Sequence, residues 1–192
     1  MVPNTISRDE INALPVRRYE GEVVLVANAH DLGRAQDDLA GERLVGFDTE
    51  TRPTFKVGQK YPPALAQLAT ARAVYLFQLQ QMDFIPAMRE LLQAASIKAG
   101  VGIGDDLKAL REQFSFEPQA IVDLGAVARR KGYERSGVRA LAAMFLGFRI
   151  PKGTKTSNWA APRLSPQQIA YAATDAWACR ELYLKFETLG MF

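Results

Sequence analysis

The sequence predicts an α/β fold, and three observations predict it. Apolar, β-branched runs at residues 43–50, 64–70 and 73–77 follow one another with no helix between them. The sheet therefore starts as an antiparallel meander, not as a doubly wound sheet. Strand-like and helix-like segments then alternate from 84 to 122, and from 123 onward the apolar spacing is helical. With 192 residues, 48% hydrophobic and 23% charged, the chain suits one domain with a sizeable core.

Taken in order, residues 1–20 read as an entry segment. Ser7-Arg8-Asp9-Glu10 has capping-box spacing, and Pro15 stops the short helix that follows. A single domain is expected over 21–192. Residues 22–27 form a strand. A helix starts at Asn28 or His30 and runs to Leu39, with Leu32, Ala35 and Leu39 inward. The connection 51–63 is rich in Pro, Lys and Gly. A helix over 84–95 carries Ile85, Met88, Leu91 and Leu92 on one stripe. A short strand at 96–101 leads into a helix over 105–116, with Leu107, Leu110 and Phe114 inward. A last strand at 120–122 precedes three helices over 123–130, 138–146 and 166–189, the first capped by Asp123.

Composition narrows the function classes. No apolar run approaches the ~20 residues of a membrane span, and the N-terminus lacks the basic and apolar regions of a secretory signal. Cys179, the one cysteine, cannot form an internal disulfide, so a reducing, cytoplasmic setting is expected. A net charge of +3 permits a polyanionic partner without demanding one. His30 is the one histidine, which excludes mechanisms needing several. It reads as structural or exposed.

Three acidic clusters carry the chemistry. In Leu44-Val45-Gly46-Phe47-Asp48-Thr49-Glu50, strand alternation puts Asp48 and Glu50 on one face and Phe47 and Thr49 on the other. Two acids at a strand end suit a hard divalent cation, although such a pair alone is more often simply solvated. In Gly100-Val101-Gly102-Ile103-Gly104-Asp105-Asp106, a strand runs into a helix start. One aspartate capping the helix and the other favouring its dipole is the plainer reading. A dinucleotide fingerprint fails, because Asp105 occupies the place of its third glycine. In Leu164-Ser165-Pro166 and the helix after it, Tyr171 and Asp175 lie four apart on one face. Four carboxylates brought together repel one another unless cations neutralise them. Two Mg²⁺ or Mn²⁺ ions would do so.

The motifs VGFDTE, GDDLKAL and YAATD resemble those of the DEDD superfamily of 3′–5′ exonucleases, tyrosine subclass. Thr156-Ser157-Asn158-Trp159 with LSPQQIAYAATDAWA looks like the ribonuclease D and Werner-syndrome exonuclease branch, over roughly residues 20–190. The resemblance implies a ribonuclease H-like fold, a central mixed sheet flanked by helices, here as a stand-alone domain. It also implies hydrolysis with two divalent cations, releasing nucleoside monophosphates from the free 3′ end of DNA or RNA. Asp48 would bridge both metals, and Glu50 and Asp175 would hold the one that binds the attacking water. Asp106 would support the second, with Asp105 its rival, and Tyr171 would orient the water.

The nucleic acid would meet the loop 149–159, whose Arg149, Lys152 and Lys155 accompany hydroxyls and an indole. A second basic run is Arg129-Arg130-Lys131. Residues 51–60 lie where they would line the substrate groove, and Thr51 would contact the terminal nucleotide. Trp159 fits core packing better than base stacking in the family pattern. The alternative function is a non-catalytic nucleic-acid-binding or scaffold module on the same fold, which would be free to lose an acid. All are present.

Overall fold

The computed structural model describes residues 2–56, 58–151 and 157–192. Lys152 and Lys155 therefore lie outside the described residues. Helix α1 (Arg8–Ala13) starts at the expected capping box: Ser7 accepts from the Glu10 amide and Glu10 accepts from the Ser7 amide. The sheet holds β1 (Glu22–Val26), β2 (Leu44–Thr51), β3 (Pro63–Ala69), β4 (Ala73–Gln78), β5 (Ile97–Gly100) and β6 (Ile121–Asp123). Their spatial order is β1-β4-β3-β2-β5-β6. The meander β2-β3-β4 is antiparallel, while β1, β5 and β6 add in parallel, so the sheet is mixed as expected.

Helices cover both faces. One face buries Val45 and Phe47 of β2 against α2 (Ala29–Ala40), α3 (Ile85–Gln93) and α4 (Ile103–Arg111). The other meets α5 (Leu124–Arg130), α6 (Val138–Leu141) and the long α7 (Pro166–Thr188). Asn28 caps α2, Asp123 caps α5, and Ser165 with Gln168 forms a capping box on α7. These local signals set the starts that the sequence predicts.

Two starts differ. Phe84, not Ile85, begins the buried stripe of α3: its ring packs edge-on against Phe77 at 5.3 Å, giving Phe84, Met88, Leu91 and Leu92 one face. Ile85 is thereby turned outward and exposed. Helix α4 begins at Ile103, two residues earlier than predicted, so neither Asp105 nor Asp106 caps it. Gly102 takes that place in a left-handed conformation (φ 76°) that favours glycine, and its N–H donates to the Asp123 carboxylate. The predicted helix over 138–146 also changes character, α6 passing into a π turn at Ala142–Leu146 whose Phe145 meets Phe186 at 4.7 Å.

α7 lies very close to β2. Its Ala172, Ala173 and Ala176 are fully buried, and Gly46 meets the helix backbone at Ala176 and Arg180 without a side chain. A methyl group on Gly46 would come within 2.1 Å of the Ala176 carbonyl oxygen. Gly46→Ala is therefore expected to destabilise the protein by about 3 kcal/mol, since backbone cannot yield as a flexible side chain can. A denaturant midpoint matching wild type would show that α7 is free to move off the sheet.

Candidate active site

The parallel strand β5 pairs with only the first half of β2, from Leu44 to Gly46, and β3 flanks the second half. Beyond Gly100 the chain turns away into α4. The C-terminal half of β2 thus lies past the end of β5, with α4 on one side of the sheet and α7 on the other.

Strand alternation and helix spacing bring three acids together there. Asp48 and Glu50 project to the α7 side, where Asp175 meets them. One carboxylate oxygen from each lies within 4.8 Å of the others. Tyr171 sits one turn before Asp175 on the same helix. Asp106 arrives from the opposite face and is not one of the converging three. Its Oδ1 accepts a 2.5 Å hydrogen bond from the Thr49 hydroxyl. Its charge still reaches Asp48 and Glu50. Between the two rivals on α4, Asp105 is exposed and Asp106 is half-buried with its carboxylate on Thr49 of β2.

The electrostatics follow from this crowding. Burial first, then the charges of Asp175, Asp106 and Glu50, push Asp48 well above the carboxylate range. Burial and the charges of Asp175 and Asp106 push Glu50 up to about 8. Burial raises Asp175 to about 7 against the opposing pull of Tyr171 and Arg139. Burial raises Asp106 to about 6, offset in part by the Thr49 hydrogen bond. Asp175 Oδ1 is buried with no hydrogen-bond partner among the described residues. An all-carboxylate donor set, short of protons at neutral pH only at a cost, and with an unpartnered buried oxygen, fits a hard divalent cation.

Tyr171 is held by packing. Trp159 is buried, with its ring 6.0 Å from that of Tyr171, so it supports the phenol as a core residue. Burial, then the charge of and hydrogen bond to Asp175, raise the phenol far above its ordinary value. A cavity of about 580 Å³ opens beside it, lined in part by Arg18, Asn158, Gln167, Tyr171 and Thr174.

The nucleic-acid candidates divide. Thr51 ends β2, exposed, just past a register shift after Glu50. Arg149 is tied elsewhere: its backbone pairs with Pro15 and Arg17, and its Nε donates to the Leu14 carbonyl. Arg129 and Arg130 are exposed on the last turn of α5. Two residues escaped the sequence reading. Alternation puts Thr49 on the face away from Asp48 and Glu50, and that face is where α4 delivers Asp106. Phe55 lies in the connection after β2 with 79% of its surface exposed, between Arg52 and Lys56. A lone aromatic in a Pro- and Lys-rich connection was the available signal.

Comparison with known proteins places this arrangement. A family model described as 3′-5′ exonuclease matches residues 23–190. The chain is 35% identical over 189 residues to the mouse bifunctional 3′-5′ exonuclease/ATP-dependent helicase WRN, covering 92% of this chain and 13% of that protein. It is 30% identical over 167 residues to ribonuclease D of Acidiphilium cryptum, covering 84% of this chain and 42% of that protein. The chain thus spans less than half the length of either relative. The Aedes aegypti Nibbler EXO domain superposes with a TM-score of 0.77 at 24% identity, over 92% of both chains, a likeness of fold. The mixed six-stranded sheet with helices on both faces is the ribonuclease H-like fold of such domains. With nearly all of its sheet and helices inside the matched region, this chain belongs to the 3′-5′ exonuclease family.

Proposed function

We propose that the chain is a metal-dependent 3′–5′ exonuclease of the tyrosine (DEDDy) subclass, releasing nucleoside 5′-monophosphates from the free 3′ end of DNA or RNA. The observation that carries this reading is the convergence of Asp48, Glu50 and Asp175 with Tyr171 one turn away. Family membership supports the activity, and the acids offer it a means. Asp48, Glu50, Asp106 and Asp175 would hold two divalent cations, Mg²⁺ or Mn²⁺. When bound, such ions supply positive charge that acidifies an attacking water and stabilises the leaving 3′ oxygen.

The chain's own residues would do the rest. Thr49 holds the Asp106 carboxylate in place through its hydroxyl. The raised Tyr171 phenol keeps its proton at neutral pH, so it orients the water and does not act as a base. Phe55 and Thr51, at the exit of β2, would receive the terminal nucleotide by stacking and hydrogen bonding. Arg52, stacked on the Tyr61 ring at 4.8 Å, would meet a phosphate. Lys152 and Lys155 belong to the same proposal on charge alone. A reducing, cytoplasmic location also belongs to it, resting on Cys179 being the one cysteine.

Tyr171→Phe is expected to lower kcat about 10–100-fold, the scale of losing one positioned hydroxyl, while Mn²⁺ binding measured calorimetrically stays at the wild-type value. An unchanged kcat would remove the tyrosine from the mechanism. The product assignment is tested by chromatography of the reaction on a short oligonucleotide. Nucleoside 5′-monophosphates are expected, and internal fragments or 3′-monophosphates would overturn the reading.

A further inference from the structure

Gln67 has no place in the mechanism above, yet its surroundings call for one. It is fully buried, and neither its Nε2 nor its Oε1 has a hydrogen-bond partner among the described residues. A buried primary amide without partners is unusual, because each polar atom loses its water on folding. Its position in the sheet is specific. β3 pairs with β2 so that Gln67 stands directly opposite Asp48. Directly opposed residues of an antiparallel pair project to the same face, with Cβ atoms about 5 Å apart. Gln67 therefore starts on the same face as Asp48, the α7 side, as its nearest neighbour across the ladder, although its amide makes no hydrogen bond there.

A second observation points the same way. Besides the two Gln67 atoms, the unpartnered buried side-chain atoms among the described residues are Asp175 Oδ1, Arg180 Nε and Ser96 Oγ. Asp175 faces Asp48, and Arg180 lies over Gly46, one strand pair before Asp48. Asp175 Oδ1 thus shares the carboxylate cluster with Asp48, and Arg180 shares the α7 face, whereas Ser96 lies apart beside Leu39 and Phe77. Asp48 itself has one oxygen engaged: its Oδ1 accepts from the Thr49 backbone N–H.

We propose that Gln67 is a positioning residue: when the site takes divalent cations, its unpaired side-chain N–H turns to donate to the Asp48 carboxylate and fixes that carboxylate's orientation. The proposal rests on the exonuclease reading. An amide donor bonded to an ionised carboxylate forms a charge-assisted bond, and groups that orient metal ligands commonly change metal affinity 10–100-fold when removed. Gln67 touches neither substrate nor cation in this scheme. It acts through Asp48.

The test is Mn²⁺ binding to the full chain by isothermal titration calorimetry, with melting temperatures in EDTA alongside. Gln67→Met keeps the side-chain length and removes the amide. The expected result is an Mn²⁺ Kd at least about tenfold weaker, with a melting temperature in EDTA equal to or above that of wild type. A purely structural glutamine would give the reverse, a lower melting temperature and an unchanged Kd, and that result overturns the proposal. Should Gln67→Met fail to fold, NMR on wild-type protein decides. The Gln67 side-chain N–H groups, assigned by through-bond experiments, are expected to exchange more slowly with water once Mg²⁺ saturates the site. Equal exchange rates with and without Mg²⁺ overturn the proposal. Absence of Mn²⁺ binding by wild type would instead sink the exonuclease reading, so the two failures are distinguishable.

Discussion

Asp48→Ala is expected to abolish 3′-end degradation, with a loss of roughly 10³-fold or more in kcat/KM, while making the metal-free protein more stable. Both effects have one origin. Asp48 stands between Glu50 on its own strand and Asp175 on α7, and it feels Asp106 from the far side of the sheet. In the proposed reading Asp48 is one of the carboxylates that would hold the divalent cations. Its removal would break up the cluster that the reading requires, and groups acting as a unit lose nearly all of their effect when one is removed. Without cations the same carboxylate is half-buried among like charges, a net cost to the fold. The checks are initial rates on a labelled oligonucleotide and thermal melting in EDTA. Residual activity above a tenth of wild type, or a lower melting temperature in EDTA, would contradict this account of Asp48.

The second large effect is a stability profile that runs opposite to ordinary acid denaturation. Glu50, Asp175 and Asp106 have folded-state values of about 8, 7 and 6, against 4.5, 3.8 and 3.8 for the unpaired groups. Between pH 4 and 8, roughly, the native protein holds protons that the unfolded chain has released. Raising the pH through that window therefore favours unfolding. The stability is fully present below about pH 4 and is lost as the pH passes the folded values. The loss by pH 8 is on the order of 3–5 kcal/mol, since these groups share one repulsion and their shifts do not add. For a chain of this size that corresponds to a melting temperature lower by roughly 10 °C. Divalent cations bind the ionised carboxylates, so Mn²⁺ is expected to raise the melting temperature strongly at pH 8 and scarcely at pH 5. Melting curves in EDTA and in Mn²⁺ across pH 5–8 check this. A flat metal-free profile would mean that the carboxylates are already neutralised by something within the chain.

Much of this site is legible before any coordinates. Asp48, Glu50, Tyr171 and Asp175 are set by short-range rules: alternation along a strand and a four-residue step along a helix. The caps at Ser7, Asn28, Asp123 and Ser165 are local for the same reason. What the sequence hides is set by contacts between distant segments. The start of α4 lacks a side-chain cap because Gly102 turns left-handed to reach Asp123 on the next strand. Thr49 meets Asp106 only because α4 covers the face opposite α7. Arg149 reads as a cation in a loop, yet its Nε is engaged by a carbonyl more than a hundred residues away. Gln67 gives no signal as a residue in an apolar strand; its partner across the ladder is what singles it out.

The most direct measurement is a time course on a 5′-labelled single strand, DNA and RNA of equal sequence in parallel, with Mn²⁺, Mg²⁺ or EDTA. The account predicts a ladder that shortens one nucleotide at a time from the 3′ end, requires the cation and stops in EDTA. A strand that is bound but never shortened, with either cation and on either sugar, would contradict it and make the chain a non-catalytic nucleic-acid-binding module on this fold.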